Sequence, residues 1–233
     1  MLRRLILPVL FALLACQPVA AREVSTRTWV ENGVTWTETT VVEVEEPGSE
    51  RLVGLHDGPA RNGIASFGPF EVINATRAAL VAETDSYSPA DFNKMLRAYP
   101  GIRVLEMADC PGTVDDYANL RLGRMIRAHG IATHVPAHGS VRSGAVELFL
   151  AGASRSAASD AAFVVHSWID EDGHEPGDFA ADASVNKAYL AYYREMGLAA
   201  DKAAAFYALT NSVPNEDVLM LGTADLARFA ALD

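Results

Sequence analysis

The chain has 233 residues, half of them hydrophobic and 21% charged, which is the composition of a globular protein with a core of its own. Its formal net charge of −11 argues against nucleic acid and anionic membranes as partners, because both bind basic surfaces. No internal repeat or low-complexity stretch interrupts the sequence.

The first 21 residues have the features of a bacterial export signal. Arg3 and Arg4 precede an apolar stretch over residues 5–15, and small residues end the segment at Ala21. The apolar stretch is too short to span a bilayer comfortably, and no later run reaches the roughly 20 apolar residues that a spanning helix needs. We therefore expect an exported protein, periplasmic or secreted, without a transmembrane span.

Cys16 leaves a second route of export open. It follows Ala15 at the end of the apolar stretch, an arrangement that also resembles a lipoprotein processing site. Once Cys16 is removed or lipidated, Cys110 is the remaining cysteine of the chain, so no intrachain disulfide is expected. The core must then hold together by packing.

Residues 22–46 predict a β-hairpin. Polar residues alternate with apolar or β-branched ones on both sides of a Glu-Asn-Gly turn at residues 31–33. Trp29 and Trp36 flank this turn, and we expect them to pair across the strands rather than to bind a ligand. We interpret residues 22–63 as the hairpin followed by a connector rich in glycine, proline and charge.

Residues 64–233 alternate between strand and helix patterns, which predicts an α/β domain with right-handed crossovers and a mostly parallel sheet. We expect Ser88 to cap the first helix and Gly130 to end the second. The predicted strands cover residues 79–83, 102–107, 131–135, 162–166 and 218–221, and the predicted helices cover residues 88–98, 113–129, 143–152, 181–196 and 199–209, with a last helix from residue 223.

Two groups of polar residues invite a metal-binding interpretation. The loop over residues 168–179 is rich in acidic residues, but it lacks the regular ligand spacing of an EF-hand, so we expect a solvated loop or a lid. His134 and His138 lie four positions apart and belong to no ligand motif. We therefore predict no metal and no cofactor.

Residues 137–152 place Ser143 where a nucleophile would be effective. A short polar turn runs directly into an apolar helical segment, so Ser143 should lie at a helix N-terminus, where backbone N–H groups favour an anion. His166 ends an apolar strand 23 positions later. A serine becomes nucleophilic when a histidine accepts its proton and a carboxylate orients that histidine. Glu147, one turn past Ser143, is expected to pair with a neighbouring arginine.

The order of these segments resembles the Clp protease proteolytic subunit and, more closely, exported bacterial proteins related to it. In that family a Ser-Pro-Gly-Gly loop precedes a helix, the nucleophile starts a later helix that ends in Ala-Gly, and a strand ends in the catalytic histidine. Here Ser143 stands nine residues before Gly152, His166 ends its strand, and residues 109–113 read Asp-Cys-Pro-Gly-Thr. The resemblance covers about residues 79–233.

The resemblance implies a spiral of βαβ units of the ClpP and crotonase type, with a catalytic role for each matching residue. Ser143 would be the nucleophile and His166 the general base. The acid would come from the segment before the last strand, as Glu216 or as Asp217, with Asp217 favoured because it adjoins the strand. These three groups would form a Ser-His-acid arrangement.

The same resemblance assigns the oxyanion hole to the backbone N–H groups of Gly144 and Thr113. Thr113 stands where the family has its second loop glycine. A backbone conformation that suits glycine suits a β-branched residue poorly, so this departure favours a member that has lost activity.

The sequence thus predicts an exported serine hydrolase, with a peptidase as the favoured class and a peptide or protein as substrate. The alternative is a catalytically degenerate Clp-like fold that serves as a binding or scaffold protein in the cell envelope. An acyl-CoA enzyme of the crotonase class is a further alternative, which the export signal and the acidic surface disfavour. Homo-oligomerisation stays open, since the hairpin could promote or block it.

Overall fold

The computed structural model describes residues 22–31, 34–43, 63–170 and 172–233. The predicted export signal, Cys16 and most of the predicted connector lie outside the described residues. Among the helices described, none is long and apolar enough to cross a bilayer. The chain divides into two units, Met1–Val53 and Gly54–Asp233.

The first unit contains the predicted hairpin. Strand β1 (Arg22–Glu31) and strand β2 (Val34–Glu43) pair in antiparallel fashion along their whole length. The register sets Trp29 opposite Trp36 at the backbone level, as the alternation of the sequence predicts. The two strands are ten residues long each.

The second unit contains the remaining strands and all the described helices. Its strands are β3 (Ala65–Phe67), β4 (Phe70–Asn74), β5 (Arg77–Leu80), β6 (Val104–Glu106), β7 (Asp109–Cys110), β8 (Ala132–Val135), β9 (Ser140–Arg142), β10 (Arg155–Ala157), β11 (Ala162–Val165) and β12 (Leu219–Gly222). Its helices are α1 (Ser88–Ala98), α2 (Asp116–Ala128), α3 (Gly144–Leu150), α4 (Ser184–Glu195), α5 (Ala200–Thr210) and α6 (Thr223–Leu226), with a 3-10 turn at Pro176–Asp178.

These strands form two mostly parallel sheets. The larger has the order β10-β8-β6-β5-β4-β3, in which β3 and β4 are antiparallel to their neighbours. The smaller has the order β12-β11-β9-β7, in which β12 is antiparallel to β11. Parallel neighbours need crossover connections, and the helices between the strands supply most of them. The mixed α/β class with mostly parallel sheets is therefore confirmed.

Several short elements differ from the sequence prediction. Strands β3, β4, β7, β9 and β10 were not predicted, and they are only two to five residues long. Ser88 is the first residue of α1 rather than its cap, and its hydroxyl donates to the Asp85 carboxylate at 2.8 Å. The prediction for Gly130 is confirmed, since it follows α2 with φ of 65°.

Helix α2 begins three residues later than predicted. Asp115 is its N-cap, and the carboxylate accepts the Ala118 N–H at 2.9 Å. Thr113 and Val114 therefore belong to a loop, and the Val114 side chain is exposed instead of facing the sheet. Because a side-chain cap competes with helix extension, Asp115 rather than Thr113 decides where the helix starts.

Helix α3 is buried on all sides. Its seven residues are all buried, and it packs against α2, β8, β9 and β11. This position explains why the segment has no polar face. Two arginines cap its C-terminal end, since Arg155 Nε donates to Leu150 O at 2.7 Å and Arg127 donates to Gly152 O at 2.6 Å. The helix is therefore a rigid support for Ser143, which precedes it.

Candidate functional site

Ser143 occupies the turn that joins β9 to α3, in a strained conformation. Its backbone has φ of 50° and ψ of −134°, and only His138 among the other described non-glycine residues also has a positive φ. Its N–H donates to Val164 O of β11 at 2.8 Å. Such a conformation costs about 1–3 kcal/mol for a residue with a side chain and is typical of functional sites. A serine on a sharp strand-to-helix turn is the geometry of an exposed nucleophile.

The loop over residues 109–113 lies directly against Ser143. Strand β7 pairs with β9, and Asp109 forms an ion pair with Arg142 at 2.6 Å. Gly112 has φ of +134°, and a Cβ there would lie 3.0 Å from Ser143 Cβ and 3.5 Å from Ser143 Oγ. Glycine is therefore required at residue 112 both for its backbone angle and for the approach of Ser143.

Thr113 and Gly144 present backbone N–H groups beside Ser143. Neither N–H donates a hydrogen bond to any residue within the described parts of the chain. A Cβ at Gly144 would lie 3.1 Å from Thr113 Cβ, so the two residues are in contact. The positive φ of the loop falls on Gly112, and Thr113 does not have one. The backbone objection to Thr113 raised by the sequence therefore does not apply.

His166 follows the last residue of β11. Its Nδ1 lies 2.8 Å from Ser167 O and 3.1 Å from Asn215 Nδ2. A proton on Nδ1 would donate to the Ser167 carbonyl and leave Nε2 as the nitrogen that could accept a proton. Within the described residues no hydrogen bond joins Ser143 Oγ to His166. The Ser143 hydroxyl and the His166 ring are therefore not joined in the resting site.

Asn215 is the side chain that reaches His166 from the segment before β12. Its Nδ2 lies 3.1 Å from His166 Nδ1 and donates to Ser167 O at 2.8 Å. Glu216 and Asp217 are exposed, and in the described residues neither has a hydrogen bond or ion pair with His166. Their assigned role as acid stays a prediction.

The sequence analysis considered only the carboxylates of this segment, whereas the side chain that reaches His166 is an amide. The segment is held in place from two sides: the Ser167 N–H and hydroxyl both donate to Val213 O, at 3.1 and 2.8 Å. The Asn215 N–H donates to Glu175 Oε1 at 2.7 Å. Glu175 belongs to the acidic loop, which thereby contributes to the surroundings of His166.

Glu147 is buried one helical turn past Ser143, and the expected pairing with an arginine is wrong. Arg142 pairs with Asp109 instead, and Arg155 donates to backbone carbonyls. Glu147 Oε1 accepts the Tyr193 hydroxyl at 2.7 Å. Burial raises the pKa of Glu147 to about 7, against the opposing effect of this hydrogen bond.

A second carboxyl lies close to this cluster. Burial raises the pKa of Asp116, while a hydrogen bond with Tyr189 and the charge of His166 lower it. Asp116 in turn contributes to the raised pKa of Glu147. The two carboxyls therefore share one buried, tyrosine-rich region behind Ser143 and His166.

The polar groups considered for metal binding lie apart from this site. Ligand atoms of Asp170, Asp172 and His174 come within 4.8 Å of one another in the acidic loop, where Asp172 and His174 are exposed. His134 contacts Ser156 and His138 contacts Asp160, so their ring nitrogens face different partners.

No protein-family model matches the chain, and no curated protein matches it either. Among solved structures, it is similar to the 1510-N membrane protease from Pyrococcus horikoshii, specific for a stomatin homologue, at 12% identity, covering 68% of this chain and 70% of that one (TM-score 0.44). It is similar to a ClpP1 variant from Listeria monocytogenes at 13% identity, covering 66% and 86% (TM-score 0.46). A probable enoyl-CoA hydratase/isomerase from Mycobacterium abscessus matches at 13% identity, covering 70% and 66% (TM-score 0.42).

The expected fold class is confirmed. The strand order and pairing of the second unit carry this conclusion, since most neighbouring strands are parallel and helices connect many of them.

Proposed function

We propose that the chain is an exported serine hydrolase, with a peptidase as the favoured class. The observation that carries the proposal is the backbone of Ser143, strained at φ of 50° beside two N–H groups without partners among the described residues. A cap or a structural hydroxyl needs no such conformation. In the nucleophile elbow of α/β-hydrolases, a strained strand-to-helix turn of this kind presents the serine Oγ to the substrate.

The reaction follows from the groups around Ser143. Its Oγ attacks the carbonyl carbon of the substrate while His166 Nε2 accepts the hydroxyl proton. The oxygen of the tetrahedral intermediate accepts hydrogen bonds from the Gly144 and Thr113 N–H groups, a contribution of about 10²–10³ in rate for one donor. His166 then gives its proton to the leaving group, and water hydrolyses the acyl-enzyme.

His166 is oriented by an amide and a carbonyl in this scheme. Ser167 O accepts from both His166 Nδ1 and Asn215 Nδ2, which holds the tautomer with a free Nε2. Substrate binding must also bring Ser143 Oγ and Nε2 into hydrogen-bond contact, as often happens in sites that are loose at rest.

A binding protein without activity is the second candidate. It is favoured by two observations within the described residues: no hydrogen bond joins Ser143 to His166, and the side chain that contacts Nδ1 is an amide, Asn215, rather than a carboxylate. An amide cannot neutralise the imidazolium that forms when His166 takes up a proton. Such a protein would hold a peptide at the same residues without cleaving it.

A fluorophosphonate probe, which labels activated serines, separates the two candidates. We expect the mature chain and Ser140→Ala to be labelled and Ser143→Ala not to be. Ser140 lies three positions away on β9 and is the matched control. Labelling of Ser143→Ala at the wild-type rate, or no labelling of the wild type, would overturn the hydrolase proposal and leave the binding role.

A further inference from the structure

Two buried polar side chains lie behind the loop that carries Thr113. Thr84 is fully buried and Asn119, on α2, is 2% exposed. Asn119 Oδ1 accepts the Thr84 hydroxyl at 3.0 Å, and Asn119 Nδ2 donates to Gly144 O at 2.6 Å. The amide of Asn119 therefore joins Thr84 to the first residue of α3.

Thr84 fixes the orientation of the loop. Its N–H donates to Gly112 O at 3.0 Å, and its carbonyl accepts the Val114 N–H at 2.9 Å and the Thr113 hydroxyl at 3.1 Å. In a trans peptide the C=O and the N–H point in opposite directions. Because Gly112 O faces Thr84, the N–H of Thr113 is directed away from Thr84.

Gly144 is positioned by the same group of residues. Its carbonyl accepts from Asn119 Nδ2, and the Thr113 methyl group occupies the space that a side chain at residue 144 would need. A Cβ at Gly144 would also lie 3.0 Å from Asn119 Nδ2. Residue 144 is thus confined by Thr113 on one side and by Asn119 on the other.

We propose that Asn119 is a positioning residue that sets the separation of the Thr113 and Gly144 N–H groups. It touches neither the substrate nor the oxyanion, and acts through Thr84 on the loop and through Gly144 on the helix. The proposal rests on the hydrolase function proposed above, in which these two N–H groups stabilise the developing oxyanion.

Only an amide satisfies both contacts of Asn119. One end must accept from the Thr84 hydroxyl and the other must donate to the Gly144 carbonyl. Aspartate has the same shape but no donor, so Asn119→Asp would set a carboxyl oxygen against Gly144 O. The substitution therefore separates hydrogen bonding from packing, since the volume at residue 119 does not change.

Asn186 provides a matched control. It is buried to a similar degree, at 4% exposed, and its amide also bonds at both ends, with the Tyr207 hydroxyl at 2.6 Å and Ala180 O at 3.0 Å. Asn186→Asp makes the same chemical change away from Thr113 and Gly144. Thr84→Val is a milder second variant, because it removes one hydroxyl and keeps both backbone bonds of residue 84.

Two measurements test the proposal on the full-length mature chain: the rate of fluorophosphonate labelling per folded molecule, and amide hydrogen exchange over residues 112–114 and 143–145. We expect Asn119→Asp to slow labelling by about tenfold to a hundredfold and Thr84→Val by severalfold. Asn186→Asp should stay within about threefold of wild type. Amide hydrogen exchange over residues 112–114 and 143–145 should become faster in Asn119→Asp and Thr84→Val, and it should not change in Asn186→Asp.

Equal labelling rates for Asn119→Asp and Asn186→Asp, with unchanged exchange at both segments, would overturn the proposal. If Asn119→Asp does not fold, Thr84→Val decides by the same criteria. If the wild type is not labelled, the hydrolase function fails on its own, and the exchange measurement still decides whether Asn119 holds the two N–H groups. Faster exchange at both segments then supports the positioning role, and unchanged exchange refutes it.

Discussion

The two halves of the candidate site are held very differently. The buried half, formed by the N–H groups of Thr113 and Gly144 and proposed to bind the oxyanion, is held by hydrogen bonds of 2.6–3.1 Å that involve Thr84 and Asn119. The open half, formed by His166 and Asn215 and proposed to accept the proton, is partly exposed, and within the described residues His166 has no hydrogen bond with Ser143 Oγ. The proposed oxyanion donors are thus held in place before a substrate binds, whereas the proposed nucleophile and base are not joined.

This difference separates two contributions to catalysis. Donors that are fixed before the reaction stabilise an oxyanion without reorganisation, which is often the largest single contribution. Proton transfer requires Ser143 Oγ and a ring nitrogen of His166 to lie within hydrogen-bond distance, and the open half has no such contact at rest. Variants of the buried half should therefore change stability and oxyanion binding. Variants of the open half should change the rate of proton transfer.

The largest effect is expected from Glu147→Gln, which should change the pH dependence of the free energy of unfolding. Glu147 is buried one helical turn past Ser143. Glu147 faces Tyr193, Tyr192 and Asp116, and its pKa is raised to about 7 from 4.5. The folded state holds this proton more tightly than the unfolded state does, so stability is lost as the pH rises from 4.5 to 7. The loss due to Glu147 is roughly 3 kcal/mol.

Urea unfolding at pH 5 and pH 8 measures most of this loss. Glu147→Gln keeps the acceptor for Tyr193 and cannot ionise, so its stability should change less between the two pH values than that of the wild type. Glu195→Gln, at an exposed ion pair with Arg124, is the control and should keep the wild-type dependence. An unchanged pH dependence in Glu147→Gln would contradict a buried, protonated carboxyl.

Gly144→Ala should be the most damaging change to labelling within the buried half. The added methyl group would collide with Thr113 Cγ2 and displace an oxyanion donor. We expect a loss of about a hundredfold. Thr113→Ser removes that methyl group and keeps the hydroxyl that donates to Thr84 O. The double variant with Gly144→Ala and Thr113→Ser should therefore be labelled about tenfold faster than Gly144→Ala alone. Additive effects in the double variant would show that residues 113 and 144 are not coupled.

Asn215→Asp tests the open half and should have the smallest effect. A carboxylate 3.1 Å from His166 Nδ1 would stabilise the imidazolium that forms when Nε2 accepts the Ser143 proton. The substitution also removes the donor to Ser167 O, which offsets part of this gain. We expect labelling to become faster by about threefold to tenfold. Glu216→Gln and Asp217→Asn should stay within about twofold of wild type. A large loss in Asp217→Asn instead would assign the acid to that residue.

Sequence patterns predict the long elements of this fold well. Helices α1, α2, α4 and α5 are found near their predicted bounds because eleven or more residues show a helical period and clear ends. Strand β9, which leads into Ser143, is missed because its three residues, Ser-Val-Arg, form no apolar run. The start of α2 is misplaced because a cap at Asp115 depends on one hydrogen bond rather than on periodicity.

The site divides in the same way. The position of Ser143 before a helix and that of His166 at the end of a strand follow from local sequence, whereas the strained backbone of Ser143 was not predicted. Asn119 meets Thr84 across 35 positions and Gly144 across 25, and Asn215 meets His166 across 49. Contacts over such distances depend on the packing of the sheets and helices. A single sequence therefore does not show which of these distant residues are in contact.

The backbone of Ser143 also has an energetic consequence for the fold. Glycine reaches a positive φ without strain, so Ser143→Gly would relieve about 1–3 kcal/mol of strain at this turn. The same substitution would remove the hydroxyl that the proposed reaction needs. Under the proposed function, the protein is therefore less stable than its fold allows, because residue 143 must carry a side chain.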